Sequence, residues 1–589
     1  MATPLSKKWH CVEPDAQIVE KLAREADIPV SIAQIFAANG MSRAEQVRDF
    51  LHSGLQQLPQ PFLLKDMEKA VNLIVAGLER NALFIIYGDY DVDGVTATAV
   101  LAVFLQEVGA RVKTVLPNRK IHGYGLHAGL LEQLAEEAAG DTKGAILVTV
   151  DCGISNVDEI ALARELGFIT IITDHHRLPD RLPEADAVIN PLQDGCVFPD
   201  KDLAGVGLSF YLTAGIRSAM RKKNLFSNGK EPNLKEYLDL VAIGTVCDMA
   251  PLHGTNRILV RTGSEVIEQT RRHGLKSLLR ISNIDGGSRV GCENIAFRLG
   301  PRINAAGRLD DARLAYSLLV SRQAEEAAGL ADALNALNEE RKRITEDIYV
   351  SCCALAEKNL KDYKYSLVLT GKNWHQGVLG IVASKLVQEY GLPTVLLTET
   401  RGENGLVLLK GSARSVEGFD LFAALTECTD LLEKFGGHEQ AAGLTVQEEN
   451  IAALANRLEG IAANILSGKS GPEKLRVFSL QDLTGNERDS FLNYYRAMEP
   501  FGVGNPEPVF VVEECELREL QIVGDGHLRF VLFKDNRRLF PGIGFNRGEL
   551  KNLLTNRKID FAFALRSNRF RGVEQWQVNF VDYDDAATH

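Results

Sequence analysis

Short apolar runs that alternate with amphipathic stretches are the feature that most restricts the fold of this chain. Between residues 83 and 173, segments with helical periodicity separate four such runs, LFIIY, RVKTVL, AILVTV and FITIIT. Buried strands that alternate with helices are typical of βαβ units, whose strands lie parallel in one sheet. The pattern therefore predicts an α/β domain built on a mostly parallel sheet.

The rest of the chain predicts further domains, because 589 residues are too many for one hydrophobic core. A second α/β pattern follows later in the chain, and closely spaced strand-like runs near the end predict a small β-barrel. The predicted regions are a helical N-terminal extension (1–78), the parallel-sheet domain (79–252), a helical connecting region (253–360), a smaller α/β domain (361–468) and the barrel (473–589).

The last part of the connecting region predicts one long helix between domains. It is rich in helix formers and has no glycine or proline from residue 330 to residue 349. Five side chains fall near a single stripe of this helix, but one of them is an arginine in an otherwise apolar row. The stripe consists of Ala333, Leu337, Arg341, Ile344 and Ile348.

Charge and cysteine content exclude some classes of protein. The net charge of −12 argues mildly against a protein coated by nucleic acid, although a basic channel within an acidic body remains open. The nine cysteines are scattered without a C-x-x-C pair, which makes a disulfide scaffold or a thiolate zinc site improbable. No apolar run is long enough to span a membrane and no signal peptide is evident, so we expect a cytoplasmic protein.

Acidic and imidazole side chains follow three of the predicted strands. The first strand leads into Asp89, Asp91 and Asp93, the third into Asp151, and the fourth into the run 174–176, Asp-His-His. Ligands of open α/β sheets bind outside the carboxyl ends of the strands. Carboxylates this close repel one another unless cations neutralise them, and mixed carboxylate and imidazole donors suit Mn²⁺ or Mg²⁺. The sequence predicts a metal centre in which Asp151 could bridge two ions.

Each of these features has a structural explanation when it is taken alone. The D-x-D-x-D-G run could be a calcium-type loop or a solvated turn, the histidine pair could lie on the surface or in the core, and Asp151 could cap a helix. Their joint occurrence at the ends of consecutive strands favours the metal centre.

The motifs themselves resemble those of a known family. GDYDVDG (88–94), VTVDCGIS (148–155), TDHH (173–176) and GTVCDMAPL (244–252) are similar to the motifs of the DHH phosphoesterase superfamily. GSARS (411–415) and KFGGHEQAAG (434–443) resemble the associated DHHA1 domain, and the C-terminal barrel resembles an OB-fold. Together with LAGVGLSFYL and GPRINAAGRLDD, this order of motifs is similar to that of the bacterial single-strand exonucleases within the superfamily.

The resemblance implies a set of metal ligands and a catalytic histidine. Two divalent ions, Mn²⁺ or Mg²⁺, would be held by Asp89, Asp91, Asp93, Asp151, His175 and Asp248. Many relatives have a histidine where this chain has Tyr87, and this leaves Asp89 as the least certain ligand. His176 is implied to face the scissile phosphate, and the catalytic set is His176, Asp91, Asp151 and His175. Cys152 and Cys247 lie beside ligands but are expected to be packing residues.

The resemblance also implies residues that hold nucleic acid. Arginine forks suit phosphates, aromatic rings suit stacked bases, and glycines let the backbone approach a phosphate. The implied set is Arg119, Tyr124, Arg302, Asn304, Arg308, Trp374, His375, Ser412, Arg414, Gly437 and His438. In the barrel, aromatic residues interleaved with cations add a second candidate surface, although about half of these aromatics are expected in the core.

The function implied by the resemblance is 5′→3′ hydrolysis of single-stranded DNA to mononucleotides, in repair and recombination. The expected partners are single-stranded DNA, a single-stranded-DNA-binding protein and a helicase, with a monomeric protein and no membrane. Two alternatives stay open. One is a phosphodiesterase for short oligonucleotides or cyclic dinucleotides, which the C-terminal barrel disfavours. The other is a non-catalytic DNA-binding scaffold, which the complete set of acidic positions disfavours.

Overall fold

The computed structural model describes most of the chain and divides it into two compact units. It describes residues 9–118, 121, 123, 125–137, 144–226, 231–284, 289–401, 407–467, 475–480, 486–524, 526–570 and 573–585. Unit 1 comprises the described residues within Met1–Pro301, Ala315–Ala331 and Pro472–His589. Unit 2 comprises those within Arg302–Leu314 and Asp332–Gly471. Arg119 and Tyr124, two of the predicted nucleic-acid contacts, lie outside the described residues.

A five-stranded parallel sheet forms the first domain of unit 1, as the alternating apolar runs predict. Its strands lie in the order β3-β2-β4-β5-β6, with helices on both faces. The elements are β2 (Leu83–Tyr87), α5 (Val92–Glu107), β3 (Arg111–Val115), α6 (Ala128–Glu137), β4 (Ile146–Val150), α7 (Val157–Glu165), β5 (Ile169–Thr173), β6 (Ala187–Ile189), α8 (Gly205–Lys222) and α9 (Leu238–Cys247). Because β2 and β4 are central, their carboxyl ends lie side by side at one edge of the sheet.

Helices fill the connecting region, and the predicted long helix is present. These are α10 (Gly254–Glu268), α11 (His273–Ile281), α12 (Cys292–Asn294), α13 (Gly300–Leu309), α14 (Arg313–Val320) and α15 (Ala324–Asn359), with a π-helical turn at Ile295–Leu299. The first residues of α15 belong to unit 1 and the remainder to unit 2. Of the predicted stripe, Ile344 and Ile348 pack into a core of unit 2, whereas Ala333 is exposed.

Unit 2 contains the smaller α/β domain, a mixed sheet in the order β10-β11-β9-β8-β7. Only β7 and β8 are parallel, and the other neighbours are antiparallel. The elements are β7 (Leu367–Gly371), α16 (Leu379–Tyr390), β8 (Thr394–Arg401), β9 (Val407–Arg414), α17 (Leu421–Thr426), β10 (Leu432–His438), β11 (Ala441–Gln447) and α18 (Ile451–Leu466). The apolar faces of α17 and α18 cover one side of the sheet.

The C-terminal strands of unit 1 close into a five-stranded barrel. Pairing runs β13-β14-β15-β17-β16 and returns to β13. The elements are β12 (Leu475–Ser479), α19 (Asn486–Met498), β13 (Val509–Val523), β14 (His527–Lys534), β15 (Arg537–Gly544), α20 (Lys551–Leu554), β16 (Lys558–Phe570) and β17 (Val573–Asp585). The fold class predicted from the sequence, an α/β multi-domain chain with a C-terminal OB-like barrel, is confirmed.

The N-terminal segment contributes to the barrel's core. It contains β1 (Trp9–Cys11), α1 (Ala16–Ala26), α2 (Val30–Ala38), α3 (Ala44–His52) and α4 (Met67–Glu79). Strand β1 pairs with β12, and apolar side chains of α1 to α3 share one cluster with those of the barrel and α19. Helix α4 packs instead against α8 of the parallel-sheet domain. Helices α1 to α3 and the C-terminal barrel, which are far apart in sequence, therefore bury their apolar surfaces against each other.

Candidate metal centre and nucleic-acid interface

Six of the predicted metal ligands come together at the carboxyl edge of the parallel sheet. Two groups of three suit a metal ion, since in each group the donor atoms lie within 4.8 Å of one another. One group is Asp89, Asp91 and Asp151, and the other is Asp93, His175 and Asp248. Asp151 also groups with His175 and His176. The loops after β2, β4 and β5 and the first turn of α5 supply all of these donors except Asp248, which follows α9.

Local structure fixes the carboxylates of the first loop. Asp91 begins α5 as its N-cap, and its Oδ1 accepts a hydrogen bond of 3.0 Å from Gly94 N. Asp93 lies in the first turn of the same helix and reaches the N-terminus of α8. There its two carboxylate oxygens accept hydrogen bonds of 2.7 and 2.9 Å from the backbone nitrogens of Gly205 and Val206. The positive ends of two helices thus help to hold negative charge at the site.

Asp151 lies at the centre of the cluster in a strained backbone conformation. Its φ of 62° is unusual for a residue with a side chain, and the residue is only 2% exposed. Its Oδ1 is 3.1 Å from Nε2 of His175, yet neither buried atom has a hydrogen-bond partner among the described residues. The two atoms could both ligate one cation. A cation there would compensate them, because buried polar atoms without partners otherwise cost stability.

Burial and mutual repulsion change the proton affinity of the cluster. Burial, followed by the charges of neighbouring aspartates, raises the pKa values of Asp93, Asp151 and Asp248. Without a cation the carboxylates therefore hold protons more strongly than ordinary aspartates do. Burial, and next the charge of His176, lowers the pKa of His175, which keeps its imidazole neutral and able to donate a lone pair. The donor set consequently suits divalent cations.

Asp174 is a positioning residue that the sequence analysis left without a role. Its Oδ1 accepts from the backbone nitrogen of His176 at 3.0 Å and lies 2.7 Å from the Nδ1 of that histidine. Its Oδ2 accepts from Ile154 N at 2.9 Å, which fixes the loop after β4. Burial alone would lower the pKa of His176, but the hydrogen bond and charge of Asp174 raise it to about 9. His176 is therefore a cation at neutral pH, with a side chain 32% exposed.

Tyr87 and the two neighbouring cysteines lie outside the candidate ligands. The Tyr87 hydroxyl donates to the carbonyl of Gly125 at 3.2 Å, and its ring belongs to an apolar cluster. Asp89, the uncertain ligand, is 4% exposed and belongs to the first metal group. Burial raises the pKa values of the Cys152 and Cys247 thiols well above the ordinary range, which leaves little thiolate for nucleophilic attack.

Two glycines that the sequence analysis quoted only within motifs give the carboxylates room. A Cβ on Gly205 would lie 2.5 Å from Asp151 Oδ1, and one on Gly244 would lie 2.9 Å from Asp93 Oδ1. These distances are too short for a methyl group, so α8 and α9 approach the site closely only because both positions lack a side chain. Sequence periodicity gives no indication of such a contact.

Substitution of Gly205 by alanine tests this close approach. We expect Gly205→Ala to displace the Asp151 carboxylate and to lower the metal-dependent hydrolysis that the resemblance implies about 100-fold, the loss that a misplacement of about 1 Å can cause. Gly207→Ala is the matched control on the same helix, since its Cβ would meet Leu203 Cγ at 3.0 Å and no carboxylate. Activity and Mn²⁺-dependent thermal stabilisation should be measured for both variants. Equal effects of the two substitutions would contradict the assignment.

In unit 2, four of the predicted nucleic-acid contacts surround the N-terminal turn of α16. Nη1 of Arg308 donates to the Gly377 carbonyl at 3.1 Å, while Nδ1 of His375 accepts from Gly377 N at 3.2 Å. Nη1 of Arg414 donates to Ser412 Oγ at 3.0 Å, and a Cβ on Gly380 would lie 2.6 Å from Arg414 Nη2. A helix N-terminus with two arginines beside it is suited to an anion such as a phosphate.

The other predicted contacts of unit 2 are more dispersed. His438 lies in the same cross-strand row as Arg414, since both face Ala441 in the sheet, and it is exposed together with Gly437. Arg302 donates to Asn335 Oδ1 at 3.0 Å, and Asn304 is half-buried. The Trp374 ring packs in an apolar core and is only 9% exposed, which leaves little surface on which a base could stack.

The barrel aromatics divide between core and surface. Phe530 is 1% exposed and belongs to the barrel core, and the ring of Trp576 packs against Tyr495. Phe545 is 57% exposed, and Phe533 is half-buried with the Arg518 guanidinium 4.7 Å from its ring centre. The side chain of Phe570 lies outside the described residues. Two aromatic platforms thus remain on the described surface of the barrel.

Family models and relatives identify the chain. Residues 83–245 match the DHH family N-terminal domain, residues 362–464 the DHHA1 domain and residues 482–582 the RecJ OB domain. The single-stranded-DNA-specific exonuclease RecJ of Haemophilus influenzae is 33% identical over 96% of this chain and 99% of its own length. The chain belongs to the RecJ family. The RecJ of Bacillus subtilis is 35% identical over 98% of this chain and 70% of its own length.

A solved RecJ structure extends this likeness to the fold. The crystal structure of RecJ from Thermus thermophilus in complex with Mn²⁺ superposes with a TM-score of 0.78 and a sequence identity of 29%. The match covers 99% of this chain and 80% of the Thermus chain. The family relationship confirms the expectation of a metal-dependent nuclease of the DHH superfamily. Among the helices that the structure describes, none is both long and apolar enough to cross a membrane.

Proposed function

We propose that this protein hydrolyses single-stranded DNA in the 5′→3′ direction to mononucleotides, with two divalent cations, Mn²⁺ or Mg²⁺. The observation that carries the proposal is the pair of metal-ligand groups around Asp151, in a chain about one third identical to RecJ exonucleases over almost its whole length. Family resemblance supports a role in repair and recombination, alongside a single-stranded-DNA-binding protein and a helicase.

The residues of the metal centre have two proposed roles in hydrolysis, metal binding and stabilisation of charge on the phosphate. Asp89, Asp91 and Asp151 would hold one ion and Asp93, His175 and Asp248 the other, with Asp151 between them. The ions supply Lewis acidity, which activates water at neutral pH and neutralises charge on a phosphate. His176, held as a cation by Asp174, is suited to stabilise negative charge that develops on the phosphate oxygens.

The anion site at the N-terminus of α16 is suited to bind a phosphate of the substrate backbone. Arg308, His375, Ser412 and Arg414 offer donors to a phosphate group, and helix α16 adds its dipole. The exposed ring of Phe545 and the half-buried ring of Phe533 on the barrel suit stacked bases, a mode of binding that tolerates any sequence. Binding should therefore weaken as the salt concentration rises.

A single degradation assay tests activity, polarity and the metal centre. Internally labelled DNA, single-stranded or blunt duplex, is blocked at one end or the other and incubated with Mn²⁺ and either the wild type or Asp91→Ala. We expect mononucleotides from single strands only, no product when the 5′ end is blocked, and no product from the variant. Tight binding of single strands without cleavage in any divalent metal would favour a scaffold. Cleavage of dinucleotides alone would favour an oligonucleotide phosphodiesterase.

A further inference from the structure

We propose that Arg341 of α15 binds a backbone phosphate of single-stranded DNA in a groove of unit 2, an inference that rests on the proposed function. The groove has a volume of about 570 Å³ and lies between α15 and α16. Four cations and two carboxylates line it, namely Arg341, Lys342, Arg343, Lys385, Glu339 and Glu346.

Three of the four cations of the groove already have carboxylate partners. Lys342 pairs with Glu339 at 2.9 Å, and Lys385 pairs with Glu346 at 3.0 Å. Arg343 lies between Glu340 at 2.7 Å and Asp347 at 3.0 Å. These charges are compensated within the protein, so they have little to gain from an added anion.

Arg341 differs from these cations in both burial and pairing. Within the part of the chain that the structure describes, it makes no ion pair, and its Nε is buried without a hydrogen-bond partner. It also occupies the row of α15 that continues through Ile344 and Ile348 into an apolar core. A guanidinium within an apolar stripe loses hydration, and such a position is costly unless an anion compensates the charge.

A second arginine increases the positive charge at this place. Burial lowers the pKa of Arg341, the charge of Glu339 opposes this shift, and the weaker charge of Arg302 adds to it. Arg302 itself is oriented by Asn335, one and a half turns earlier on α15. The charge of Glu339 acts on both guanidinium groups, but this carboxylate forms its ion pair with Lys342. The fork-shaped donors of the two arginines match phosphate geometry. The nucleic-acid backbone is the phosphate source that the proposed substrate provides.

Arg341→Gln and the matched variant Arg343→Gln separate this role from a general loss of positive charge. Both remove one cation from the same groove, but only Arg341 lacks an internal partner. With the Mn²⁺-loaded full chain, we expect Arg341→Gln to raise KM for a single strand about tenfold at unchanged kcat. The slope of log KM against log salt should fall by about 0.7, the value for one phosphate contact of a single strand. Arg343→Gln should leave both quantities near those of the wild type.

Folding controls and three other results decide whether Arg341 binds the DNA backbone. Thermal unfolding of both variants shows whether they fold, and Arg341→Lys should recover most of the lost affinity if charge is what matters. Equal KM and salt slope in the wild type and in Arg341→Gln would overturn the assignment. So would a variant that loses only inhibition by dAMP or inorganic phosphate, since the groove would then hold a released product. A wild type that does not degrade single strands would instead refute the proposed function.

Discussion

Substitution of Asp151 by asparagine is expected to abolish catalysis and to stabilise the metal-free protein. Activity should fall by at least about 1,000-fold, equivalent to about 4 kcal/mol, because the proposed shared ligand of both ions is lost. The melting temperature without metal should rise by about 2–4 °C, the shift that about 1 kcal/mol produces in a domain of this size. Loss of activity together with a gain of stability is expected where carboxylates needed for function repel one another in the folded protein.

The expected gain follows from the charge of Asp151. Burial, and then the charges of Asp93 and Asp91, raises the pKa of this carboxyl above its unfolded value. A carboxyl with a raised folded pKa destabilises the native state as the pH rises beyond the unfolded pKa of about 4. Asparagine has no such charge and can donate a hydrogen bond to the neutral His175. The stability advantage of the variant should therefore grow between pH 4 and neutrality.

Metal addition and a control variant complete this experiment. Saturating Mn²⁺ should stabilise the wild type by about 2.7 kcal/mol at 100 times its Kd and should stabilise Asp151→Asn much less. Asp186→Asn is the control, because the carboxylate of Asp186 accepts from Thr170 N at 2.9 Å near the start of β5. That variant should remain active and melt at a lower temperature. A lower melting temperature of metal-free Asp151→Asn would show that the cluster does not repel itself.

The parallel sheet and its acidic edge could be predicted because both depend on local patterns. The runs LFIIY and FITIIT form strands within a residue of their predicted positions, since a buried strand must be apolar along its length. Because the strands are parallel, the acidic residues that follow them lie at the same edge of the sheet. The predicted ligands Asp91, Asp151 and His175 therefore lie together, as strand order alone requires.

The barrel was harder to predict, because its closure depends on one bent strand. The runs PVFVVE and ELRELQIVG are parts of the single strand β13, which pairs with β16 along its first half and with β14 along its second. Positive φ angles at Glu514 and Glu519 accompany register shifts that bend the strand. Glutamate gives no local signal for such bulges, which tertiary pairing imposes.

Contacts between distant segments escaped prediction for the same reason. The sequence shows that α1 to α3 are amphipathic, but it does not show that their apolar faces meet the barrel more than 400 residues later. Asp174 was likewise visible as an acid, whereas its hydrogen bonds to His176 and Ile154 depend on how two loops approach each other. Such roles are properties of the assembled fold.

The largest effect on stability is expected from Arg257 of α10, which joins these distant segments. Its guanidinium donates to the carbonyls of Phe50, Met498 and Ala497 at 3.3, 2.8 and 2.9 Å, and it lies 3.7 Å from the ring centre of Phe50. The residue is only 2% exposed. The ends of α3 and α19 thus meet α10, the first helix of the connecting region, at this buried cation.

Arg257→Met should lower the free energy of unfolding by about 3–5 kcal/mol, because it removes three hydrogen bonds from a buried charged donor. Asn505 Nδ2 still donates to the Met498 carbonyl at 3.0 Å in the variant. Arg261→Met is the control, since Arg261 lies one turn later and donates to a single carbonyl, that of Leu51, at 2.8 Å. We expect the control to lose about 1 kcal/mol. Urea denaturation of Arg257→Met should show two transitions, with the N-terminal helices and barrel unfolding before the metal-stabilised parallel-sheet domain. A single transition, with a loss of less than 1 kcal/mol, would mean that the shared apolar core and not Arg257 couples the N-terminal helices and the barrel to the rest of unit 1.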